Sequence, residues 1–216
     1  MSSIIGVVGP QVLSDGVESL ERLGRTGEVV SSLLHGRYYE TAKRGNLFIV
    51  STPAAGVTVP IYTNAAQQFV IYNPLSSGVD LVIKRVWVGY VSGTMVAGHM
   101  CYAGSVAQGV PGTTTQALIQ NARLNINPSS GSGAGNKGSY YSPGSPATAL
   151  VAGNYLRPMG NSQVVQAATA TNAPWVQMDD VEGGIIVPPQ GILVVAANIA
   201  AFSVSTIAAL IEEVPV

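Results

Sequence analysis

A chain of 216 residues with only 10% charged residues and a formal net charge of −1 has no basic stripe of the kind a nucleic-acid-binding face needs. Its 47% hydrophobic content never gathers into the ~18–20 apolar residues of a membrane-spanning helix, so neither nucleic acid nor membrane is an expected partner. A single cysteine, Cys101, excludes an internal disulfide framework. The length fits one domain, or one domain with an appendage. The first ten residues place no basic residue ahead of their apolar stretch, so no signal peptide is expected and synthesis in a cytoplasm is.

The charges gather at the N-terminus. Residues 1–45 hold 10 of the 21 charged residues (10 basic plus 11 acidic). This shift marks the expected division between an N-terminal arm, 1–45, and a β-domain, 46–216. Within the arm, Asp15 to Leu23 has the features of a short helix. Asp15 precedes Glu18 at capping-box spacing, Val17, Leu20 and Leu23 share a face, and Glu18–Arg22 and Glu21–Arg25 are i,i+4 pairs. So short a helix needs a surface to pack on. Glu28 to Leu34 reads as extended. Arg22, Arg25, Arg37, Tyr38, Tyr39, Lys43 and Arg44 are the arm's candidate interface residues.

Strands are expected from residue 46 onward, at Asn46–Ser51, Gly56–Ile61, Gln67–Tyr72, Asp80–Val91 and Met95–Tyr102. The strongest is Asp80–Val91. Its alternation sets Leu81, Ile83, Trp87 and Val91 on one face and Val82, Val86, Val88 and Tyr90 on the other, which predicts Trp87 as a core anchor. Lys84-Arg85 interrupts the pattern. Gln116–Ile126 fits either strand or helix, with an extended segment favoured. Residues 128–146 contain 5 Gly, 6 Ser and 3 Pro, a composition that predicts a loop. Tyr140 and Tyr141 stand in it as candidate contact residues. Further strands are expected at Ser162–Ala168, Trp175–Gln177, Gly184–Val187, Ile192–Ala197 and Ser203–Ile211. About ten short strands with Gly/Pro/Asn punctuation predict an all-β fold, a jelly-roll-like β-sandwich with an arm carrying a short helix.

No residue pattern assembles a reaction. His99 and Cys101 share a strand face, but zinc needs further ligands, and His35 is the only other histidine. Asp179, Asp180 and Glu182 offer three carboxylates in one short stretch, which reads as a solvated turn or as an intersubunit contact to Arg85, Arg123 or Arg157 rather than a calcium loop. There is no G-x-S-x-G elbow and no phosphate-binding fingerprint. A non-enzymatic protein without catalytic, metal or cofactor residues is the expectation. The weakly charged surface suits permanent assembly, because burying neutral groups avoids the desolvation cost of charges.

Three segments carry a family likeness: HGRYYETAKRGNLFIVSTPAAGVTVP, FVIYNPLSSGVDLVIKRVWVGYVSG, and IIVPPQGILVVAAN with STIAALIEEVPV at the end. Together they resemble β-sandwich virion structural proteins of tailed bacteriophages, in particular head decoration or cement proteins. The resemblance implies a domain bound to the capsid exterior. Its implied partners are the major capsid protein and sister subunits, in a homo-oligomer expected to be a trimer. It implies no cofactor and no catalytic residue. A tail, neck or receptor-binding component touching carbohydrate through Tyr140, Tyr141 and Trp175 is the alternative reading, and a cellular carbohydrate-binding sandwich the second. A glycosidase would need two facing carboxylates, for which Asp80, Asp179, Asp180 and Glu182 are the candidates.

Overall fold

The computed structural model describes residues 6–7, 21–22, 36–64, 67–93, 98–106, 117–123, 136–142, 154–159, 176–199 and 203–216. Contacts divide the chain into two units, Met1–Tyr39 and Glu40–Val216, where the charge distribution predicts a division after residue 45. In the first unit, β1 (Gly6–Val7) pairs in parallel with β2 (Glu21–Arg22). The helix expected over Asp15–Leu23 therefore does not extend through Glu21 and Arg22, whose backbone is strand. An isolated two-turn helix is marginal in water. The rest of that segment lies outside the described residues, as does Ser162–Ala168.

A helix forms where an extended arm is expected: α1, Tyr39–Arg44. Glu40, Ala42, Lys43 and Arg44 are good helix formers, and Lys43 and Arg44 complement the carbonyl end. The Tyr39 N–H donates to Gly36 O at 2.9 Å on entry. Gly45, at φ 83°, ends the helix in the left-handed conformation that glycine adopts without strain.

The second unit is an all-β sandwich of two antiparallel sheets. Its strands are β3 (Leu47–Ser51), β4 (Val57–Thr58), β5 (Val70–Tyr72), β6 (Val79–Ser92), β7 (Met100–Val106), β8 (Leu118–Asn121), β9 (Ser139–Tyr141), β10 (Asn154–Pro158), β11 (Val176–Val187), β12 (Gly191–Ala197) and β13 (Val204–Pro215). One sheet runs β10-β7-β12-β5-β9. The other runs β11-β6-β13-β3-β8, with β4 also on β13. All these pairings are antiparallel. Several strands are longer than expected: β6 has 14 residues, and β11 and β13 have 12 each.

The core lies between the sheets. Phe48, Val50, Leu81, Ile83, Val86, Val88, Ile207 and Ile211 meet Ile71, Met100, Tyr102, Tyr140, Leu193 and Val195. A second buried cluster, Val70, Tyr72, Ala103, Ile192, Val194 and Ala196, occupies the opposite face of the five-stranded sheet. Strand β12 is thus buried on both faces, as its unbroken apolar run requires. Among the described residues no helix is long and apolar enough to cross a membrane.

The inner face of β6 changes parity along the strand. Val79, Leu81 and Ile83 are buried at odd positions, then Val86 and Val88 at even ones. The cause is a bulge. Leu210 pairs with Arg85 while the next residue, Ile211, pairs with Ile83, so Lys84 is the extra residue. Trp87 is consequently half-buried on the outer face, and the expectation of a core tryptophan is corrected.

Two segments singled out in the sequence meet at one corner. The Asn73 N–H donates to Gly191 O at 2.9 Å, and Gln190 N–H donates to Asn73 O at 2.8 Å. The buried Asn73 side chain donates to Val79 O at 2.7 Å and Val187 O at 2.8 Å. The YNP and VPPQG segments are therefore two halves of one structural corner.

Candidate functional site: the outer face of the six-stranded sheet

Antiparallel register places residues from five strands in rows across the outer face. One row reads Leu118, Ser51, Ala208, Trp87, Met178 from β8 through β3, β13 and β6 to β11. The neighbouring row reads Gln120, Ile49, Leu210, Arg85, Asp180. Cross-strand neighbours of this kind stand ~5 Å apart. Both ends of the first row are open to solvent: Leu118 is 48% exposed and Met178 50%. On the same strand as Met178, Val176 is 70% exposed and Ile186 53%. Exposed apolar side chains thus stand on both edge strands of this face.

The face carries balanced charge. Arg85 is ion-paired with Asp180 and stands over the Trp87 ring, 5.9 Å from its centroid. Lys84 Nζ lies 2.5 Å from Glu212 Oε2. Two cations on β6 thus sit between an anion on β11 and one on β13.

Beside this face, β10 and β11 flank an apolar cleft of about 310 Å³ lined by Val106, Leu156, Ile186, Val187, Pro188 and Leu193 among others. A buried latch ties the two strands together. Asp179 Oδ2 accepts the Tyr102 hydroxyl at 2.8 Å and the Arg157 guanidinium at 2.8 Å, and Arg157 also lies over the Tyr102 ring. Burial, and next the hydrogen bond to Asp179, push the Tyr102 phenol well above its ordinary value.

The sequence-predicted residues distribute as follows. Arg22 lies on β2, and Arg25 lies outside the described residues. Arg37 is exposed above the Tyr38 ring, Tyr38 is half-buried, and Tyr39 is exposed at the start of α1. Lys43 and Arg44 are exposed in the last turn of α1. Tyr140 is corrected from a loop contact to a core residue. It belongs to strand β9, is buried, and its hydroxyl donates to Glu213 Oε1 at 3.3 Å. Burial raises its pKa well above the usual phenol value. Tyr141 is half-buried and packs on the second apolar cluster. Trp175 lies outside the described residues, so the aromatic trio expected for sugar stacking is not brought together here.

The acidic stretch is not a solvated turn. Asp179 and Asp180 belong to β11, point to opposite faces and take Arg157 and Arg85 as partners within the chain. Glu182, at φ 53°, and Gly183, at φ 82°, carry the bulge that follows. Among the described residues no group of three His, Cys, Asp or Glu side chains is placed to hold a metal ion. His99 Nε2 stands 3.1 Å from the Tyr155 hydroxyl. Cys101 is buried, and burial pushes its thiol up to about 11, so it carries no thiolate at neutral pH for nucleophilic work.

Sequence reasoning missed Met178, Leu118 and Glu213. Glu213 is a buried carboxylate that accepts backbone N–H bonds from Lys137 at 2.8 Å and Gly138 at 2.8 Å. No protein-family model matches the chain, and neither a curated protein nor a solved structure does.

Proposed function

We propose that the protein is a non-enzymatic structural subunit of a virus particle, a head decoration protein that binds the capsid exterior as a homo-oligomer and stabilises it. The observation that carries this reading is the apolar, charge-balanced outer face of the six-stranded sheet. Such a face is suited to lasting contact with protein and offers no arrangement for chemistry. The family likeness of the three sequence segments supports the virion setting and makes the major capsid protein the partner. The candidate chemical groups support it too, because each has a structural task. Asp179 latches two strands, Asp180 neutralises Arg85, Cys101 fills space, and Glu213 receives a loop.

The test is immunoelectron microscopy. Antibodies against the purified chain are applied to virus-sized particles from cultures of its source. Dense, regular label over the heads is expected. Label confined to the tail or its tip would replace decoration with the tail reading. Particles without label, with the chain found in the cell fraction, would overturn the virion reading.

A further inference from the structure

We propose that the end of the sandwich where β3 begins and β13 closes binds an acidic segment of a partner protein through Lys43, Arg44, Arg123 and Lys137. That the partner is the capsid rests on the decoration reading above; the acidic chemistry of the contact does not.

The charges of the second unit are sorted. Residues 40–216 hold seven basic and seven acidic residues. Three of the seven cations, Lys84, Arg85 and Arg157, are ion-paired with Glu212, Asp180 and Asp179. The other four are exposed and make no ion pair among the described residues. They also lie together. Lys43 and Arg44 end α1, and Arg123 Nη1 donates to Lys43 O at 2.9 Å. Thr41 of the same helix donates to Glu212 Oε1 at 3.2 Å, and the next residue of β13, Glu213, receives the Lys137 N–H at 2.8 Å. Adjacent carboxylates of β13 thus hold both cation-bearing segments at one end, yet neither neutralises them. Glu212 is paired with Lys84, and Glu213 is buried against backbone N–H donors.

A buried side chain fixes the arrangement. Asn121, 2% exposed, donates to Gly45 O at 2.6 Å and accepts the Arg123 N–H at 2.9 Å. It sets the end of β8 against the end of α1, so Arg123 stands beside Lys43 and Arg44 before any partner arrives. Holding like charges close costs the free chain stability, and carboxylates from outside offset that cost. Arg44 and Arg123 bring planar forks that match the two oxygens of a carboxylate. A protein carboxylate fits better than a nucleic acid or an anionic membrane. A unit of zero formal charge, seven basic against seven acidic, has no basic stripe along which a polyanion could run. Four exposed cations make a weak contact that orients a partner rather than holding it alone.

Fluorescence anisotropy of the full chain with a labelled peptide of alternating glutamate and glycine tests this, with the glutamine-glycine peptide as neutral control. Saturable binding of the glutamate peptide alone is expected. It should weaken as salt rises from about 0.02 to about 0.15 M and the screening length shortens. Lys43→Gln with Arg44→Gln should weaken it ~10-fold and Lys137→Gln ~3-fold, the scale of losing two exposed ion pairs and one. Ala55→Glu with Thr58→Glu changes the net charge as much as the Lys43/Arg44 pair does, at exposed sites where β13 begins. From Val204 to Glu212 that strand runs about 26 Å, beyond the screening length, so binding should not change. Circular dichroism checks that each variant keeps the wild-type fold. Glutamate and glutamine peptides bound alike would overturn the proposal, as would an Ala55/Thr58 variant that loses as much as the Lys43/Arg44 one. So would a DNA oligonucleotide or phosphatidylserine vesicles bound more tightly than the glutamate peptide through the same residues, which would make this end a polyanion site. Each of these outcomes leaves the decoration reading standing, which the labelling of particles decides.

Discussion

Trp87 and Val88 are chain neighbours with opposite tasks, because the extra residue Lys84 has turned the strand over beneath them. Core substitutions should therefore be costly at Ile83, Val86 and Val88 and mild at Trp87. Ile83→Ala should lose about 2–5 kcal/mol in guanidinium unfolding, the usual cost of deleting buried methyl groups. Trp87→Ala should lose about 1 kcal/mol or less. A larger loss for Trp87→Ala than for Ile83→Ala would mean that the faces of β6 are assigned the wrong way round. Cys101 makes a prediction of a different kind. Its thiol titrates near 9.0 when solvated and at about 11 in the fold. Between those values the unfolded chain binds fewer protons than the folded one, so stability is fully present below pH 9 and falls as pH rises, by roughly 1.4 kcal/mol per pH unit. Tyr102 and Tyr140, both raised, add to the fall only from about pH 10 upward. Urea unfolding across roughly pH 8 to 10 should show this slope in the wild type and its absence in Cys101→Ala. Equal slopes would place the thiol in contact with solvent.

At the scale of elements, a single buried carboxylate organises the approach to β9. Glu213 receives the N–H groups of Lys137 and Gly138 and the Tyr140 hydroxyl, so Glu213→Gln sets an amide donor against a donor. A loss of about 2–3 kcal/mol is expected, as for hydrogen bonds to a charged group. A thermal melt unchanged from wild type would show that water serves the loop equally well. This element was illegible in the sequence because Ser139-Tyr140-Tyr141 sits in a glycine- and serine-rich stretch, and its strand character comes from pairing with the distant β5. Helix α1 was missed for a related reason: YETAKR has helix propensity but no apolar period. β6, β12 and β13 were legible because burial leaves a direct apolar pattern in sequence. The bulge was not, since Lys84-Arg85 looks the same whether a pattern is interrupted or shifted. The outer-face row was least legible of all. Leu118 and Met178 are sixty residues apart, and only the register of five strands puts them in one line.

For the whole molecule, the open matter is what the N-terminal segment contributes, and two truncations separate the possibilities. A chain beginning at Gly36 keeps the Gly36 carbonyl that receives the Tyr39 N–H on entry to α1. It also keeps the three ties of that helix to the sheet. The Thr41 hydroxyl donates to Glu212 Oε1 at 3.2 Å, Asn121 Nδ2 donates to Gly45 O at 2.6 Å, and Arg123 Nη1 donates to Lys43 O at 2.9 Å. A chain beginning at Asn46, the boundary suggested by charge alone, loses all three and leaves the buried Asn121 amide without its carbonyl. The Gly36 chain should therefore melt within a few degrees of the full chain, and the Asn46 chain should be less stable by about 2–3 kcal/mol. On the decoration reading proposed above, the Gly36 chain should lose attachment to the particle, because residues 1–35 carry Glu18, Glu21, Arg22 and Arg25, a mixed-sign set suited to register and specificity. Reconstitution on undecorated heads reads this directly. If the Gly36 chain binds and protects heads as the full chain does, attachment belongs to the sandwich. If it fails to fold, the N-terminal segment is part of the sandwich itself.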